Sequence, residues 1–208
     1  MAYVLGFIAA DGAVIDARKS SRTCYTSIKI NDKQLLEQIK KVMSSKHLIY
    51  LNPARYNNFG KESYYCKQSY TLRFGSKKMF QDLVDLGITP RKSLRLKLPS
   101  MPRQYFNFFI RGYFDGDGCV NVYKNKAYPP IIQVIFTSGC APFLKDLSKH
   151  LAQQLNIKVH NVISGDHAYQ LKYKKRATLK VLKYMYKDLR GAPFLERKYN
   201  VAKPYLQI

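Results

Sequence analysis

Apolar and polar positions along this chain fall into segments of two periods. Two eight- to nine-residue stretches, "VLGFIAADG" (Val4–Gly12) and "IRGYFDGDG" (Ile110–Gly118), are apolar with small residues at matching places. Each reads as a short helix closed by Asp-Gly, a pair suited to a turn. Strand-like stretches follow each one, at residues 13–19 and 23–30 and again at 119–124 and 131–137; "TSIKI" and "IIQVIF" are rich in β-branched residues. Amphipathic helices are predicted around "LLEQIKKVM" and "FLKDLSKHLAQQL", with Asp32 and Ser138 placed as N-caps. A second strand pair comes next, "LIYLNP" with "SYTLRF" and "KVHNVIS" with "AYQLKY", joined by hairpin-like connections at "NNFGKES" and "SGDH". Closing helices are expected over Lys78–Leu86 and Thr178–Leu189. The order is α-β-β-α-β-β-α, twice.

The two copies keep one step. Asp11 and Asp117 are 106 positions apart, and so are Gly6 and Gly112, Gly12 and Gly118, Val14 and Val120, and the Arg-Lys pairs Arg91-Lys92 and Arg197-Lys198. This is an internal duplication: a first repeat over residues 1–98, a proline-punctuated linker at 99–104, and a second repeat over 105–208. Two copies imply a pseudo-two-fold pair within one α+β chain.

Charge narrows the class of partner. Lys and Arg number 36 against 13 Asp and Glu, a formal net charge of +23 that repels itself in a compact state and calls for a polyanion. Nucleic acid is the first candidate and an acidic membrane surface the second. No apolar run approaches the ~18 residues of a transmembrane helix. The apolar start lacks a positive region and carries Asp11, unlike a signal peptide. Cys24, Cys66, Cys119 and Cys140 form no Cys-x-x-Cys, and the four histidines show no metal-ligand spacing. An intracellular location fits the cysteines.

The repeated phrase carries candidate chemistry. Gly6 and Ala10 lie four apart, as do Gly112 and Gly116, so each helix offers one small-residue face. Such faces let two backbones approach closely. Leu5, Phe7, Ile8, Ile110, Tyr113 and Phe114 are left for the cores of their own halves. Close approach makes neighbours of Asp11 and Asp117 at the negative ends of both helices, a costly pairing unless a cation joins them. Asp115 has Ala9 as its counterpart, so it is read as local hydrogen bonding rather than a shared ligand.

The two phrases resemble the signature helices of the LAGLIDADG homing endonucleases, in their single-chain, two-motif form, and the resemblance extends through the repeated element order over nearly the whole chain. It implies two αββαββα halves, each with a curved antiparallel sheet, that together form a DNA-binding saddle around the central motif helices. It implies a monomer that binds a long double-stranded DNA target and hydrolyses one phosphodiester per strand across the minor groove, leaving short 3′ overhangs. Asp11 and Asp117 would bind Mg²⁺ (or Mn²⁺, with Ca²⁺ as a non-catalytic substitute), and the carbonyls of Ala10 and Gly116 would be further ligands. Lys92 and Lys198, each 81 residues after its motif aspartate, would polarise water or stabilise the phosphate; Arg91 and Arg197 compete for that role, and ordinary phosphate contact or solvation is the plainer alternative for all four. An intron-encoded or free-standing enzyme is expected rather than an intein. A splicing maturase of the same fold, or a non-catalytic DNA-binding regulator, is the alternative; either would tolerate loss of a motif carboxylate, and both carboxylates remain.

Period-2 alternation assigns the strand faces. Tyr70, Leu72 and Phe74 are expected inside, leaving Lys67, Ser69, Thr71 and Arg73 outward. Tyr169, Leu171 and Tyr173 are expected inside, leaving Gln170, Lys172 and Lys174. Ile28 and Ile30 point inward, leaving Tyr25, Ser27 and Lys29. Lys19, Asn125 and Gln133 are further candidates. A basic, amide-bearing sheet face laid along a major groove can hold phosphates and read base edges.

Overall fold

The computed structural model describes residues 1–60, 62–125 and 128–206. The first half runs α1 (Ala2–Asp11), β1 (Gly12–Asp16), α2 (Arg18–Ser21), β2 (Cys24–Ile30), α3 (Lys33–Val42), β3 (Ile49–Asn52), β4 (Arg55–Phe59), β5 (Glu62–Cys66), β6 (Ser69–Gly75) and α4 (Lys77–Asp85). Two short 3-10 turns, Lys92–Leu94 and Arg103–Tyr105, precede α5 (Phe106–Asp117). The second half continues with β7 (Gly118–Asn125), β8 (Tyr128–Ser138), α6 (Ala141–Leu155), β9 (Val162–Ser164), β10 (Tyr169–Lys174), α7 (Lys175–Tyr186) and α8 (Glu196–Ala202).

Each half holds one four-stranded sheet, in the orders β1-β2-β6-β3 and β7-β8-β10-β9, antiparallel throughout. Both sheets are threaded alike: Gly12 pairs with Ile28, which pairs with Leu72, and Gly118 pairs with Phe136, which pairs with Leu171. Helices cover one face of each sheet. In α3, Leu35, Leu36 and Ile39 are buried against β6; in α6, Phe143, Leu144, Leu147 and Leu151 are buried against β10. The buried apolar residues of both halves form one continuous cluster.

The motif helices α1 and α5 pack against each other at its centre. A Cβ on Gly6 would stand 2.0 Å from the carbonyl oxygen of Phe109, and one on Gly112 would stand 2.0 Å from that of Tyr3. Tyr3 and Phe109 are themselves one repeat step apart, so the contact is reciprocal, as a two-fold axis between the helices requires. No side chain fits at either glycine, because each Cβ would overlap main chain that cannot move aside.

Several elements depart from the sequence reading. The strand expected over 13–19 ends at Asp16, whose carboxylate accepts from the backbone N–H of Arg18 at 3.2 Å and from its guanidinium, turning the chain into α2. The Asp-Gly pairs do not turn in left-handed glycine conformations: Gly12 and Gly118 are extended (φ −81° and −99°) and lead straight into strands. Ser138 does not cap α6; its hydroxyl accepts from the N–H of Cys140, the residue that stands at the helix N-cap. Asp32 does precede α3, but its carboxylate lies 3.4 Å from Arg197 of the other half rather than on a helix N–H. Tyr169, expected inside, is exposed at the first position of β10, and Tyr70 is half-buried, packed against the core. The strands β4 and β5 and the helix α8 have no place in the α-β-β-α-β-β-α scheme. All four cysteines are free thiols, and among the described residues no helix is long and apolar enough to cross a membrane.

Candidate catalytic centre and nucleic-acid interface

The close approach that begins at Gly6 and Gly112 continues to the C-terminal ends of α1 and α5. A Cβ on Gly116 would meet the Cβ of Ala10 at 2.5 Å and the Cβ of Asp11 at 3.4 Å. Asp11 and Asp117 therefore end adjacent helices, and both side chains open to solvent. Partial withdrawal from water pushes both carboxyls above the usual carboxylate range, and the charge of Asp11 pushes Asp117 further. The Lys92 and Lys198 ammonium groups pull in the opposite direction on both. Two raised acids beside an open surface, one of them raised partly by the other's charge, are what a hard cation would relieve.

Lys92 and Lys198 come from equivalent places and are buried. The Lys92 Nζ donates to the carbonyls of Ala10 at 3.2 Å and Gly12 at 2.5 Å. The Lys198 Nζ donates to Phe114 at 2.6 Å, Asp115 at 2.9 Å and Gly118 at 2.5 Å. Each cation thus bonds carbonyls at a helix end, that of Phe114 also taking the Gly118 N–H, and faces the negative end of its dipole. Burial depresses both lysines, Lys198 to about 8. An ammonium group has three donors. Lys198 commits all three to main chain, whereas two carbonyl partners leave one donor of Lys92 for other use. Arg91 is exposed, and Arg197 lies beside Asp32.

The buried neighbour Asp115 was expected to bond locally and instead ties distant segments. Its carboxylate accepts from the Tyr3 hydroxyl at 2.7 Å and from the Leu195 N–H at 2.9 Å. Burial raises it to about 6, against the pull of those two bonds and of Lys198 and Arg111. Arg111 is fully buried and donates to the carbonyls of Met185, Asp188 and Pro193. This network fastens the segment leading to α8, and hence Lys198, onto α5. Sequence reasoning missed it; the only local signal is a charged Arg and Asp four apart inside an apolar helix.

The outward sheet faces gather most of the other candidates. Ser27 pairs with Arg73, and Lys29 with Thr71, so these four share a face. The Arg73 guanidinium lies over the Tyr25 ring, 3.7 Å from its centroid. In the second sheet Gln170 pairs with Thr137, Lys172 with Ile135 and Lys174 with Gln133. Tyr50 and Asn52 join the first face opposite Thr71 and Ser69, and Asn121 joins the second opposite Gln133. The sequence reading left these three out, although strand parity was sufficient to find them.

Not every candidate is presented. Ser69 is buried at 5 % exposure; the Asn52 amide reaches across it to its carbonyl and to the Thr71 hydroxyl. Gln133 is buried at 3 % exposure, because the Tyr123 hydroxyl covers it and bonds its side-chain oxygen at 3.1 Å. It lines an open pocket of about 510 Å³ with Tyr123, Ile131, Lys174 and Lys175. Lys19 lies in α2 rather than a strand and is exposed, and Lys67 is exposed in the link between β5 and β6. Asn125 ends β7, and its side chain lies outside the described residues.

Paired motif helices between two antiparallel sheets define the two-motif LAGLIDADG architecture. Residues 107–185 match the family model described as a LAGLIDADG-like domain, and the resemblance carried by the two motifs is borne out. Among solved structures, the chain is similar to the I-LtrWI LAGLIDADG homing endonuclease bound to target DNA (15 % identity, 98 % of this chain and 88 % of that one, TM-score 0.57). It is similar to the LAGLIDADG meganuclease I-AabMI bound to uncleaved DNA (15 % identity, 99 % and 88 %, TM-score 0.56). It also resembles mesophilic variants of the homing endonuclease I-DmoI (16 % identity, 90 % and 96 %, TM-score 0.60). No curated protein matches the chain in sequence.

Proposed function

We propose that this protein is a site-specific DNA endonuclease of the homing type, acting as a monomer. It binds a long duplex along the outward faces of its two sheets and hydrolyses one phosphodiester in each strand, leaving short 3′ overhangs. The observation that carries this reading is the seating of Asp11 and Asp117 at adjoining helix ends between two polar, basic sheet faces. The two halves differ in their outward side chains, so the half-sites they read differ too. Solved structures of similar fold hold target DNA, which supports the same partner here.

The donor set suits Mg²⁺ or Mn²⁺, with Ca²⁺ as a non-catalytic substitute: two solvent-open carboxylates of raised proton affinity, beside the Ala10 and Gly116 carbonyls, are hard oxygen ligands. Among the described residues no three His, Cys, Asp or Glu side chains gather as a metal site, and the residues that would hold an ion are Asp11 and Asp117, with the Ala10 and Gly116 carbonyls. A bound divalent ion would supply Lewis acidity and a more acidic bound water at neutral pH. Asp11 and Asp117 each serve one strand. Lys198, saturated by carbonyls, positions the second motif and offsets the paired negative charge. Lys92 does the same for the first motif and has one donor left for water or phosphate.

The test is incubation with randomised duplex DNA and Mg²⁺, followed by sequencing of the ends. Cleavage at one long sequence, lost in Asp11→Asn and Asp117→Asn with binding retained, is the expected result; metal-dependent binding without ends in the unaltered protein refutes the reading.

A further inference from the structure

The first half carries an arm that the second lacks. Strands β3 and β6 pair from Ile49↔Leu72 to Asn52↔Ser69, and β4 and β5 pair from Arg55↔Cys66 to Phe59↔Glu62. The paired residue numbers keep one constant sum across the interruption at Pro53-Ala54 and Lys67-Gln68. The four strands are therefore one long hairpin, broken in the middle without a slip of register. In the second half the equivalent hairpin ends at Ser164↔Tyr169 and closes through the Gly165 N–H on the Ala168 carbonyl. Aligning the sheets on Leu72 and Leu171, the first hairpin runs on for about eight more residues, roughly 26 Å at ~3.3 Å per residue.

Unbroken register fixes which side chains continue the outward face, since alternation holds as long as pairing does. From Thr71 and Asn52 the same parity leads to Lys67, then to the opposed pair Tyr56 and Tyr65, then to Asn58 and Ser63. Tyr56 and Tyr65 are 71 % and 57 % exposed, with ring centroids 5.2 Å apart. On the opposite face Asn57 donates to the Cys66 sulfur and the Tyr64 hydroxyl to Glu62, while Arg55 is exposed. A two-stranded ribbon that buries neither face is marginal in water without something to lie against. This one carries a base, an amide and two phenols in line with the face that ends in Arg73.

The geometry points to an arm that extends the nucleic-acid contact beyond the first sheet only, so that the duplex footprint is longer on the first half's side of the cut. The inference rests on the function proposed above. A twisted two-stranded ribbon has the width to enter a major groove. Its reach corresponds to on the order of seven base pairs along the duplex axis, fewer along the inclined groove. Phenol and amide groups there give contacts to base edges and phosphates, and Lys67 neutralises a phosphate where the ribbon leaves the sheet.

The experiment selects a randomised duplex library on the full chain in Ca²⁺, maps the cut in Mg²⁺, and footprints the selected duplex with hydroxyl radicals. Two variants accompany it: one with residues 55–66 replaced by a two-residue Asn-Gly turn, and one with Tyr56→Ser and Tyr65→Ser, which leaves the hairpin backbone whole. The expected footprint is unequal about the cut. The shortened variant trims it at the long end alone without moving the cut, and the tyrosine pair weakens protection at that end at least threefold. Equal arms in the unaltered protein, or a long arm that survives both variants, overturns the inference while leaving the nuclease reading intact. Failure to select any duplex overturns both.

Discussion

The Tyr3 hydroxyl, at the start of the first motif helix, donates a 2.7 Å hydrogen bond to the buried Asp115 carboxylate near the end of the second. The bond crosses the pseudo-two-fold seam between residues 112 positions apart. In Tyr3→Phe the carboxylate keeps the Leu195 N–H and loses its other partner. Loss of a hydrogen bond to a buried charged group costs about 1.5–3 kcal/mol. Urea unfolding of Tyr3→Phe is expected to show that loss at unchanged m-value; a midpoint equal to the parent's would mean the bond contributes nothing.

Asp115 also makes stability depend on pH. Its folded pKa, raised to about 6 from 3.8 mainly by burial, means that the native state holds this proton more tightly than the unfolded chain. Its contribution is fully present below pH 4, falls as pH rises from about 4 to 6, and is level above. The full swing is on the order of 3 kcal/mol. Asp115→Asn cannot titrate, so its stability relative to the parent should improve across that interval, on top of a constant offset from altered hydrogen bonding. Parallel stability curves for the two proteins between pH 4 and 7 would refute the assignment.

The seam tolerates no added atom at Gly6 or Gly112, where a Cβ would stand 2.0 Å from a carbonyl oxygen. Overpacking in a close-packed core costs about 1–3 kcal/mol where neighbours can shift, and here the neighbour is helix backbone. Gly112→Ala is expected to lose at least ~3 kcal/mol. Gly60→Ala offers a comparison: it is strained by its φ of +61° but has nothing within 4 Å of an added Cβ, and should cost far less. Thermal melts of both variants decide the point.

The acidic pair has a signature that needs no DNA. Asp11 and Asp117 are both raised, and Asp117 is raised partly by Asp11. Acids whose folded pKa lies above the unfolded value lose stability as pH rises through that interval. Replacing one with Asn should therefore raise the melting temperature at neutral pH in the absence of divalent ions. Adding Mg²⁺ or Ca²⁺ should stabilise the parent, by about 2.7 kcal/mol at a concentration a hundred times Kd, and should stabilise Asp11→Asn and Asp117→Asn much less. Equal stabilisation of all three by Ca²⁺ would place the ion elsewhere.

Lys92 and Lys198 separate by the donor that Lys92 has to spare, not by stability. Lys198→Met strands the carbonyls of Asp115 and Gly118, since that of Phe114 keeps the Gly118 N–H, and Lys92→Met strands those of Ala10 and Gly12. Each unsatisfied buried acceptor costs about 1–3 kcal/mol, so the two variants should lose stability by similar amounts. At saturating DNA, cleavage by Lys92→Met should fall further than its stability accounts for, since the lost ammonium group has a donor to spare.

The motif helices, their spacing and most of the sheet strands were legible because each is written in local periodicity. Small residues four apart mark a helix face whether or not its partner is known, and alternation marks strand faces wherever a helix covers one side. The reading weakened at Tyr169, which begins its strand and is exposed. It failed at Ser69 and Gln133, where Asn52 and Tyr123 reach over from neighbouring strands. Register decides which side chain lies beside which, and register is not a local property.

By itself the sequence determined the doubling: one step of 106 residues dictates two like halves, two small-faced helices and two terminal aspartates that must meet if the helices do. Only the tertiary structure decided what holds that meeting in place. The Tyr3–Asp115 bond and the long ribbon join residues that no repeat step relates, and the buried lysines, although one step apart, bond main-chain carbonyls, a contact that the step does not name. Their energies come from desolvation and direct contact in the folded state, where a lysine's worth depends on which oxygens surround its nitrogen rather than on its place in a pattern.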